Sequence, residues 1–514
     1  MKMASLIDTL SFTPKASLII PATFIALVVC YIAVSIASWY RLRVFPGPTL
    51  AKFSYLWSIL GLRTGRIYRI LVEEQDKYGK VMRIGPNELL IYDPETIWRM
   101  NGVRSQYGRG DWYAGVKMDP YGDTVLSELD TAKHDGRKAF IASGYAGKGN
   151  VKLEEKVDHQ LAILVELIKK NYARKGNQKV LDFSQLIRYF QVDLITLSGF
   201  GESWGDLTSE TDRFDLLSTS DFMIPILAIT GLIPIFRDLY TSSFFLRLAG
   251  PKTTDKKGMG RFLGAVKQAV NKRFDTLDQP KPHGDTLDEW IKRGLPRREC
   301  ELELSIQIPA GGETTSTAMR GTMLYLLSSP KIYQKLQKEI ADGIRDGRIS
   351  SPISQEEARK LPYLQAVIHE GLRMIPPIIF GFPKRVPPGG DTMFGKFVPA
   401  GTDIFVNTLA MVQNKEIFGD DAEIFRPERF LECDEAKKAE LFKIVDLVFG
   451  HGRWMCPGKT IARLELDKIF VELLRNFDFQ IANPQCAWKC RGYSSYIIDD
   501  FFVRVTERSE HESL

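Results

Sequence analysis

Cysteine is scarce in this chain, and the sequence signals of secreted and metal-finger proteins are missing. The 514 residues include six cysteines without the paired spacing of a zinc finger, and they contain no N-x-S/T glycosylation site. This pattern excludes a disulfide scaffold and suits free thiols in a reducing compartment. Cys486 and Cys490 form a C-x3-C pair without a second ligand pair nearby, which we interpret as two unpaired thiols.

A strong charge bias and a nucleotide-binding loop are also missing. The chain has 69 Lys and Arg against 63 Asp and Glu, a net charge of +6, and its basic residues are scattered. Nucleic acid is therefore not an expected partner. There is no G-x-G-x-x-G after a strand and no Walker loop. The 44% of hydrophobic residues can bury a large core, which excludes disordered and collagen-like classes.

One long apolar run stands near the start of the chain. Residues 17–39 contain 23 residues without a charge, enough to cross a hydrocarbon core of about 30 Å, and they end at Trp39. We predict a tail over 1–16, a transmembrane anchor over 17–39 and a proline-rich hinge over 40–50. Lys and Arg are slightly more frequent after the run than before it, which predicts that the body lies in the cytosol.

The remaining residues, 51–514, are predicted to form one mainly helical domain with small sheets. Residues 81–92 predict two short strands around a Gly85-Pro86 turn. A second apolar run, 222–236, is short for a membrane span and contains two prolines, so it predicts a surface or pocket element that can touch a bilayer. Helical apolar spacing predicts helices over 67–78, 151–173, 182–199, 261–277, 298–328 and 459–476.

The strongest local signal is a glycine-rich loop that ends in a cysteine, FGHGRWMCPG at residues 449–458. Glycines let a backbone turn tightly around a sulfur, so that N–H groups can point at it. The positive end of the helix that follows lowers the thiol pKa of Cys456, and Pro457 is well tolerated in a first helical turn. The loop by itself is compatible with a functional thiolate, although a lone cysteine is more often an inert residue of the core.

Three further motifs appear in the chain: AGGETT at 310–315, EGLR at 370–373 and FRPERF at 425–430. Together with the cysteine loop, they resemble the ordered signatures of the cytochrome P-450 family of haem-thiolate monooxygenases. The resemblance runs from about residue 41 to the C-terminus. It implies the fold of that family, which is mainly α with small β-sheets in a single large domain, here 51–514.

The resemblance also implies roles for individual residues. Cys456 would be the axial ligand of the haem iron, in a loop shaped by Phe449, Gly452 and Gly458. Thr314 and Glu313 would orient water and relay protons during oxygen activation.

A charged network is expected beside the cysteine loop. Glu370 and Arg373 are three residues apart and share a helix face, and Arg429 would complete a buried network that holds the loop.

The carboxylates of the haem need basic partners, and four candidates follow from position: Arg385, Arg137, Lys138 and Arg453. Two positions depart from the family pattern. The usual Trp-x-x-x-Arg reads His134-x-x-x-Lys138, and Trp454 stands where the family has an Arg two residues before the cysteine.

The expected substrate is a small apolar compound. Trp112, Ile378, Ile379 and Phe380 resemble positions that line the family's pocket. The sequence of the cysteine loop is similar to that of fungal enzymes of the pisatin demethylase-like branch, many of which oxidise terpenoids, alkaloids or polyketides.

The resemblance further implies an endoplasmic-reticulum membrane protein, single-pass, that takes electrons from an NADPH-dependent reductase, with cytochrome b5 as a further candidate donor. Two other classes stay open. A haem-thiolate isomerase or dehydratase needs no proton relay, so Thr314 and Glu313 argue against it. A non-enzymatic haem sensor is disfavoured for the same reason.

Overall fold

The computed structural model describes residues 14–145, 152–174, 179–276 and 284–508. The helices are α1 Pro14–Arg41, α2 Leu56–Arg63, α3 Ile67–Tyr78, α4 Pro94–Asn101, α5 Thr131–Tyr145, α6 Leu153–Asn171, α7 Phe183–Phe200, α8 Asp206–Ser209, α9 Leu216–Thr230, α10 Pro234–Tyr240, α11 Ser243–Ala249, α12 Gly258–Asp275, α13 Thr286–Lys292, α14 Arg297–Leu327, α15 Pro330–Arg345, α16 Gln355–Arg359, α17 Pro362–Met374, α18 Thr408–Val412, α19 Lys415–Phe418, α20 Glu435–Val445 and α21 Lys459–Asn476. The strands are β1 Val81–Arg83, β2 Glu88–Ile91, β3 Gly108–Arg109, β4 Leu181–Asp182, β5 Lys384–Arg385, β6 Asp391–Met393, β7 Lys396–Val398, β8 Asp403–Val406, β9 Phe477–Ile481, β10 Lys489–Gly492, β11 Tyr496–Asp499 and β12 Phe502–Glu507.

The body is mainly helical and contains small sheets, which confirms this part of the predicted fold class. A five-stranded sheet has the order β1-β2-β8-β5-β3, in which β2 and β8 run parallel and the other pairs antiparallel. A three-stranded sheet has the order β4-β12-β9, and β6-β7 and β10-β11 form two-stranded sheets. The larger sheet brings β3 and β5, far apart in sequence, next to each other.

The 31-residue helix α14 lies at the centre of the body, where it packs against α7, α12 and α17. Helix α7 is buried along most of its length and has clear ends. The Asp182 carboxylate accepts a hydrogen bond from Gln185 N at 3.1 Å, and Gly201 ends the helix with φ +82°. Helix α14 continues through Pro309 without a break in its assignment.

The apolar run at 222–236 is divided between α9 and α10. Phe222, Ile235 and Phe236 of this run are exposed, so it forms part of the surface. The helices predicted over 67–78 and 459–476 have the bounds of α3 and α21, and the other predicted helices differ by up to three residues at each end.

The N-terminal segment is described from Pro14, so the predicted tail, 1–16, lies mostly outside the described residues. The predicted anchor, 17–39, lies within α1. In the part of the chain that the structure describes, no helix combines the length and apolar character needed to cross a membrane. The predicted membrane span is therefore not confirmed.

The buried carboxyl of Glu465 in α21 predicts a pH-dependent stability. Gln191 Nε2 donates to Glu465 Oε2 at 2.8 Å, while Glu465 Oε1 has no hydrogen-bond partner among the described residues. Burial raises the pKa of Glu465 from 4.5 to about 8. Between pH 4.5 and 8, Glu465 is protonated in the folded state and ionised in the unfolded state, so folding takes up a proton. The contribution of Glu465 to stability is therefore fully present below pH 4.5 and is lost as the pH rises through 8.

We expect the free energy of unfolding of Glu465→Gln to exceed that of the wild type by up to about 4 kcal/mol at pH 8 and to equal it near pH 4.5. Urea unfolding at the two pH values measures the difference. Glu435 is exposed, so Glu435→Gln should have the stability of the wild type at both pH values. An equal response of the two variants would contradict the assignment of the raised pKa to Glu465.

Candidate active site

The cysteine loop precedes α21 and is held in a tight turn. Gly450 has φ +74° and Gly452 has φ +54°, a region that favours glycine. A Cβ at Gly452 would lie 2.4 Å from the carbonyl oxygen of Asn101, so the loop packs directly against the end of α4. Cys456 N donates to Phe449 O at 2.7 Å and closes the turn. The geometry places the sulfur at the beginning of α21.

The environment of the Cys456 thiol favours a ligand. Burial raises its pKa above the ordinary value, and the backbone N–H groups of Gly458 and Lys459 and the ammonium of Lys138 partly offset this. Cys456 lies within the protein body yet is exposed, so its side chain is accessible to a ligand. A thiol in this position becomes a thiolate once it binds a metal.

The middle of α14 has small side chains and one exposed position. Ala310 is exposed although the helix around it is largely buried. Thr314 Oγ1 donates to Ala310 O at 2.7 Å, so its proton is used within the helix. A Cβ at Gly311 would lie 2.9 Å from Ile195 Cδ1, which explains the small residue there. The small side chains of this segment leave room for a flat ligand.

The carboxylate of Glu313 is held in an ion-pair network. Arg188 Nη2 lies 2.6 Å from Glu313 Oε1 and 2.8 Å from an oxygen of Asp221 in α9. Arg320 lies 3.7 Å from Glu313. The Glu313 carboxylate is therefore engaged in an ion pair with Arg188 and is not free to exchange protons with water. The sequence motif did not indicate this partner.

The structure brings together the three charged residues expected beside the loop. Arg373 Nε lies 2.7 Å and Arg429 Nε 3.1 Å from Glu370, and the three side chains are buried. Arg373 also donates to Val412 O at 3.0 Å, and Arg426 N donates to Glu370 at 2.7 Å. The network ties α17 to the segments that precede the cysteine loop.

Three of the four basic residues expected to hold haem carboxylates have carboxylate partners within the chain. Arg385 donates a hydrogen bond to Asp403 at 2.9 Å and another to Asp111 at 2.7 Å. Arg137 bonds Glu303 at 2.9 Å. The third, Arg453, pairs with Asp135 at 3.0 Å and donates to Ser105 O at 3.0 Å.

Lys138 has no carboxylate partner within the part of the chain that the structure describes, and it supports the loop directly. Its Nζ donates to Arg453 O at 2.7 Å and to Met455 O at 2.6 Å. Burial lowers the pKa of Lys138 to about 8.

Two basic residues that the sequence reasoning missed lie beside the cysteine loop. The ammonium of Lys384 lies 4.9 Å and the guanidinium of Arg109 5.1 Å from the ring of Trp454. Burial, with Arg109 and Lys138 nearby, holds the pKa of Lys384 well below its usual range. Arg109 donates to three backbone carbonyls, and its Nε and the Nε1 of Trp454 have no partner among the described residues.

Three basic side chains, Lys138, Lys384 and Arg109, therefore lie close together beside the loop, and within the described residues none of them has a carboxylate ion pair. Their mutual repulsion adds to burial in lowering the pKa of both lysines, and a bound anion would favour their charged forms. His134 packs at a tilt against Trp454 with ring centroids 4.7 Å apart, and burial lowers the pKa of His134 to about 4, so it is neutral at pH 7.

Lys384 and Arg385 are neighbours on β5, and neighbouring side chains of a strand point to opposite faces. This rule could have shown from the sequence that the two residues have different surroundings.

The four expected pocket residues are in different surroundings. Trp112 packs edge-on against Phe382, with ring centroids 5.1 Å apart. Ile379 and Phe380 lie in the hydrophobic core, where Phe380 stacks on Phe405. Ile378 is half-buried and bridges to Ser495.

The family model described as Cytochrome P450 matches residues 46–492. The chain belongs to the cytochrome P450 family. It is 41% identical over 496 residues to Cytochrome P450 monooxygenase ABA1 of Pyricularia oryzae, covering 94% of this chain and 96% of that protein. It is 40% identical over 470 residues to Cytochrome P450 monooxygenase aba1 of Botryotinia fuckeliana, covering 91% and 92%. Pisatin demethylase of Fusarium vanettenii is 31% identical over 481 residues, covering 92% and 90%.

This P450 is therefore an enzyme of the monooxygenase class, in a haem-thiolate family, and its residues fit the haem. The thiol of Cys456 would bind the iron, and the unpaired donors around Trp454 suit the two carboxylates. Arg385, Arg137 and Arg453 pair with carboxylates of the chain, so we expect Lys138, Lys384 and Arg109 to contact the haem carboxylates instead.

We expect Lys384→Gln to release haem to apomyoglobin at least about tenfold faster than the wild type, because it removes one charge-assisted contact. The neighbouring Arg385→Gln should release haem at a rate close to that of the wild type, since Arg385 bonds Asp111 and Asp403. The opposite order of rates would return the role to Arg385.

Proposed function

We propose that this P450 inserts an oxygen atom from O2 into a small apolar secondary metabolite of a fungus, with electrons from an NADPH-dependent reductase. The observation that carries the proposal is the accessible Cys456 in its tight loop, beside the basic residues Lys138, Lys384 and Arg109, for which no ion pair is present within the described residues. The relatives named as monooxygenases and as pisatin demethylase support oxidation of a small molecule. The aromatic contacts of Trp112 suit an apolar guest.

The chain's own residues have separate tasks. Haem, when bound, supplies the chemistry of oxygen activation. The N–H groups of Gly458 and Lys459 stabilise negative charge on the sulfur, and Lys138 holds the loop through two carbonyls. The Thr314 hydroxyl keeps its acceptor lone pairs free to order a water. Glu313 delivers protons only after water replaces Arg188 as the partner of its carboxylate.

The proposal is tested with the holoenzyme, its reductase and NADPH under 18O2, with a panel of terpenoid, alkaloid and polyketide compounds. We expect one compound or more to shift the Soret band on binding and to gain one 18O atom on turnover. Turnover of a hydroperoxide without NADPH and O2 would instead support the isomerase or dehydratase class. A folded holoenzyme that oxidises none of the panel and shows no Soret shift would contradict the substrate class.

We further propose that the enzyme is anchored in the endoplasmic reticulum membrane with its body in the cytosol. The uncharged run 17–39 supports this, and so do exposed apolar side chains on the body, namely Phe222, Ile235, Phe236, Leu239 and Phe244. Apolar side chains of this kind insert into the headgroup region of a bilayer.

The anchoring proposal is tested by alkaline carbonate extraction of microsomes. We expect the full chain to stay in the pellet and a chain lacking residues 1–39 to be released. Vesicle flotation of that shortened chain should drop further with Phe236→Ser and Phe244→Ser, whereas Val103→Ser, another exposed apolar position, serves as the control. Release of the full chain by carbonate would overturn the proposal.

A further inference from the structure

The C-terminal end of α1 is held on the body by one buried arginine. Arg83 of β1 is fully buried, and its guanidinium donates to the carbonyl oxygens of Trp39 at 3.2 Å and Ser38 at 3.1 Å. The last four carbonyls of an α-helix find no N–H within the helix and carry its negative end, so a buried cation suits them. Arg83 therefore caps α1 from a position 44 residues beyond Trp39 in the chain.

The same guanidinium also holds the turn between β1 and β2. Its nitrogens donate to Gly85 O at 3.0 Å and to Pro86 O at 2.6 Å, and the Ser38 hydroxyl donates to Pro86 O as well. One planar group with several fixed donors thus bridges the helix end and the turn. The flexible ammonium of a lysine has no such fixed set of donors.

The proline-rich segment that follows α1 is packed along β1. Pro46 O accepts a hydrogen bond from Arg83 N at 2.7 Å, and a Cβ at Gly47 would lie 2.3 Å from Arg83 O. The side chains of Leu42 and Phe45 are buried in the core cluster that contains residues of β1, β2 and β8. The backbone of this segment is therefore fixed by contacts on the sheet.

Two further contacts restrain the end of α1. Trp39 stacks on Phe53, with ring centroids 6.2 Å apart. Arg41 donates to Thr402 Oγ1 at 3.4 Å and also to the carbonyl oxygen of Ala400. Contacts with several separate segments restrain the tilt of the helix as well as its position.

We propose that α1 and the body form one rigid unit, and that Arg83 is the positioning residue that sets the direction of α1. A helix joined only by an exposed linker would sample many directions. The joint is independent of the reaction proposed above and of the presence of a bilayer. Its consequence, a fixed orientation of the body at the membrane surface, rests on the anchoring proposed above.

The test measures the distance between two spin labels in the full-length holoenzyme in detergent micelles, by double electron–electron resonance. The labels are attached to keto amino acids at Val34 of α1 and Val103 of the body, both exposed, so that Cys456 stays intact. We expect one narrow distance distribution in the wild type. Arg83→Met should widen it about twofold or more, because the helix end loses its donors, and should leave the carbon monoxide difference spectrum unchanged.

A second variant covers the case in which Arg83→Met does not fold. Gly47→Ala keeps the guanidinium but forces the segment after α1 away from Arg83 O, so it should also widen the distribution. The matched control is Arg63→Met, which removes an exposed arginine of α2 and should keep the narrow distribution.

Three results would each overturn the proposal: a broad distribution in the wild type, a narrow one in the folded Arg83→Met holoenzyme, or equal widening in Arg63→Met. Because the measurement is made in micelles, a failure of membrane anchoring would appear in the carbonate extraction and would leave these distances unaffected.

Discussion

Cys456→Ser is expected to abolish oxidation and to remove the red-shifted carbon monoxide band of the reduced enzyme. Serine keeps the size of the side chain, but its hydroxyl is far less acidic and is a poor substitute for a soft thiolate ligand. The N–H groups of Gly458 and Lys459 and the ammonium of Lys138 are arranged to stabilise charge on a sulfur at this position. The readouts are the difference spectrum and the turnover rate with reductase.

The matched control is Cys486→Ser, which changes an exposed cysteine at another place in the fold. It should leave the spectrum and the turnover unchanged. A Cys456→Ser variant that retains the red-shifted band would contradict thiolate ligation by Cys456, and with it the roles given to the loop. Loss of the band in both variants would indicate a general effect of the substitutions on folding.

Arg373→Ala is expected to produce the largest loss of stability, about 3–5 kcal/mol in the free energy of unfolding. Arg373 is fully buried, and its removal leaves Glu370 with a weaker set of partners and the carbonyls of Val412 and Ile424 without this donor. The carbonyls need donors at several angles, so Arg373→Lys should recover little of the loss. Urea unfolding at pH 7 measures the effect, with haem content as a second readout.

The control is Arg345→Ala in α15, which removes an arginine that is half exposed and pairs with Asp342 at 2.7 Å. Exposed pairs contribute little, so we expect a loss below about 1 kcal/mol. Comparable losses in the two variants would show that the buried network is not a special source of stability.

The local motifs of the sequence were sufficient to predict the family, and they supplied the main candidate residues of the site. The resemblance indicated Cys456 because its loop, its glycines and the helix that follows are contiguous. Glu370 and Arg373 share one helix, so their contact follows from helical periodicity. The bounds of α3 and α21 were also correct, since both helices show clear apolar spacing.

The sequence alone was weaker wherever a role depends on partners that are distant in sequence. Arg385 and Lys384 are adjacent and both basic, so composition does not distinguish them. Only the pairing of β3, β5 and β8 places Arg385 beside Asp403, while Lys384 lies near Trp454.

The same contrast holds for Glu313. The motif at 310–315 indicates an acid beside a threonine, but the partner of that acid, Arg188, lies 125 residues away in α7. Local spacing determined which side chains this protein has available for chemistry, because motifs and periodicity act within a few residues. The tertiary structure decided which charges are neutralised and which remain to bind a ligand, because electrostatic energy depends on distance in space and on burial.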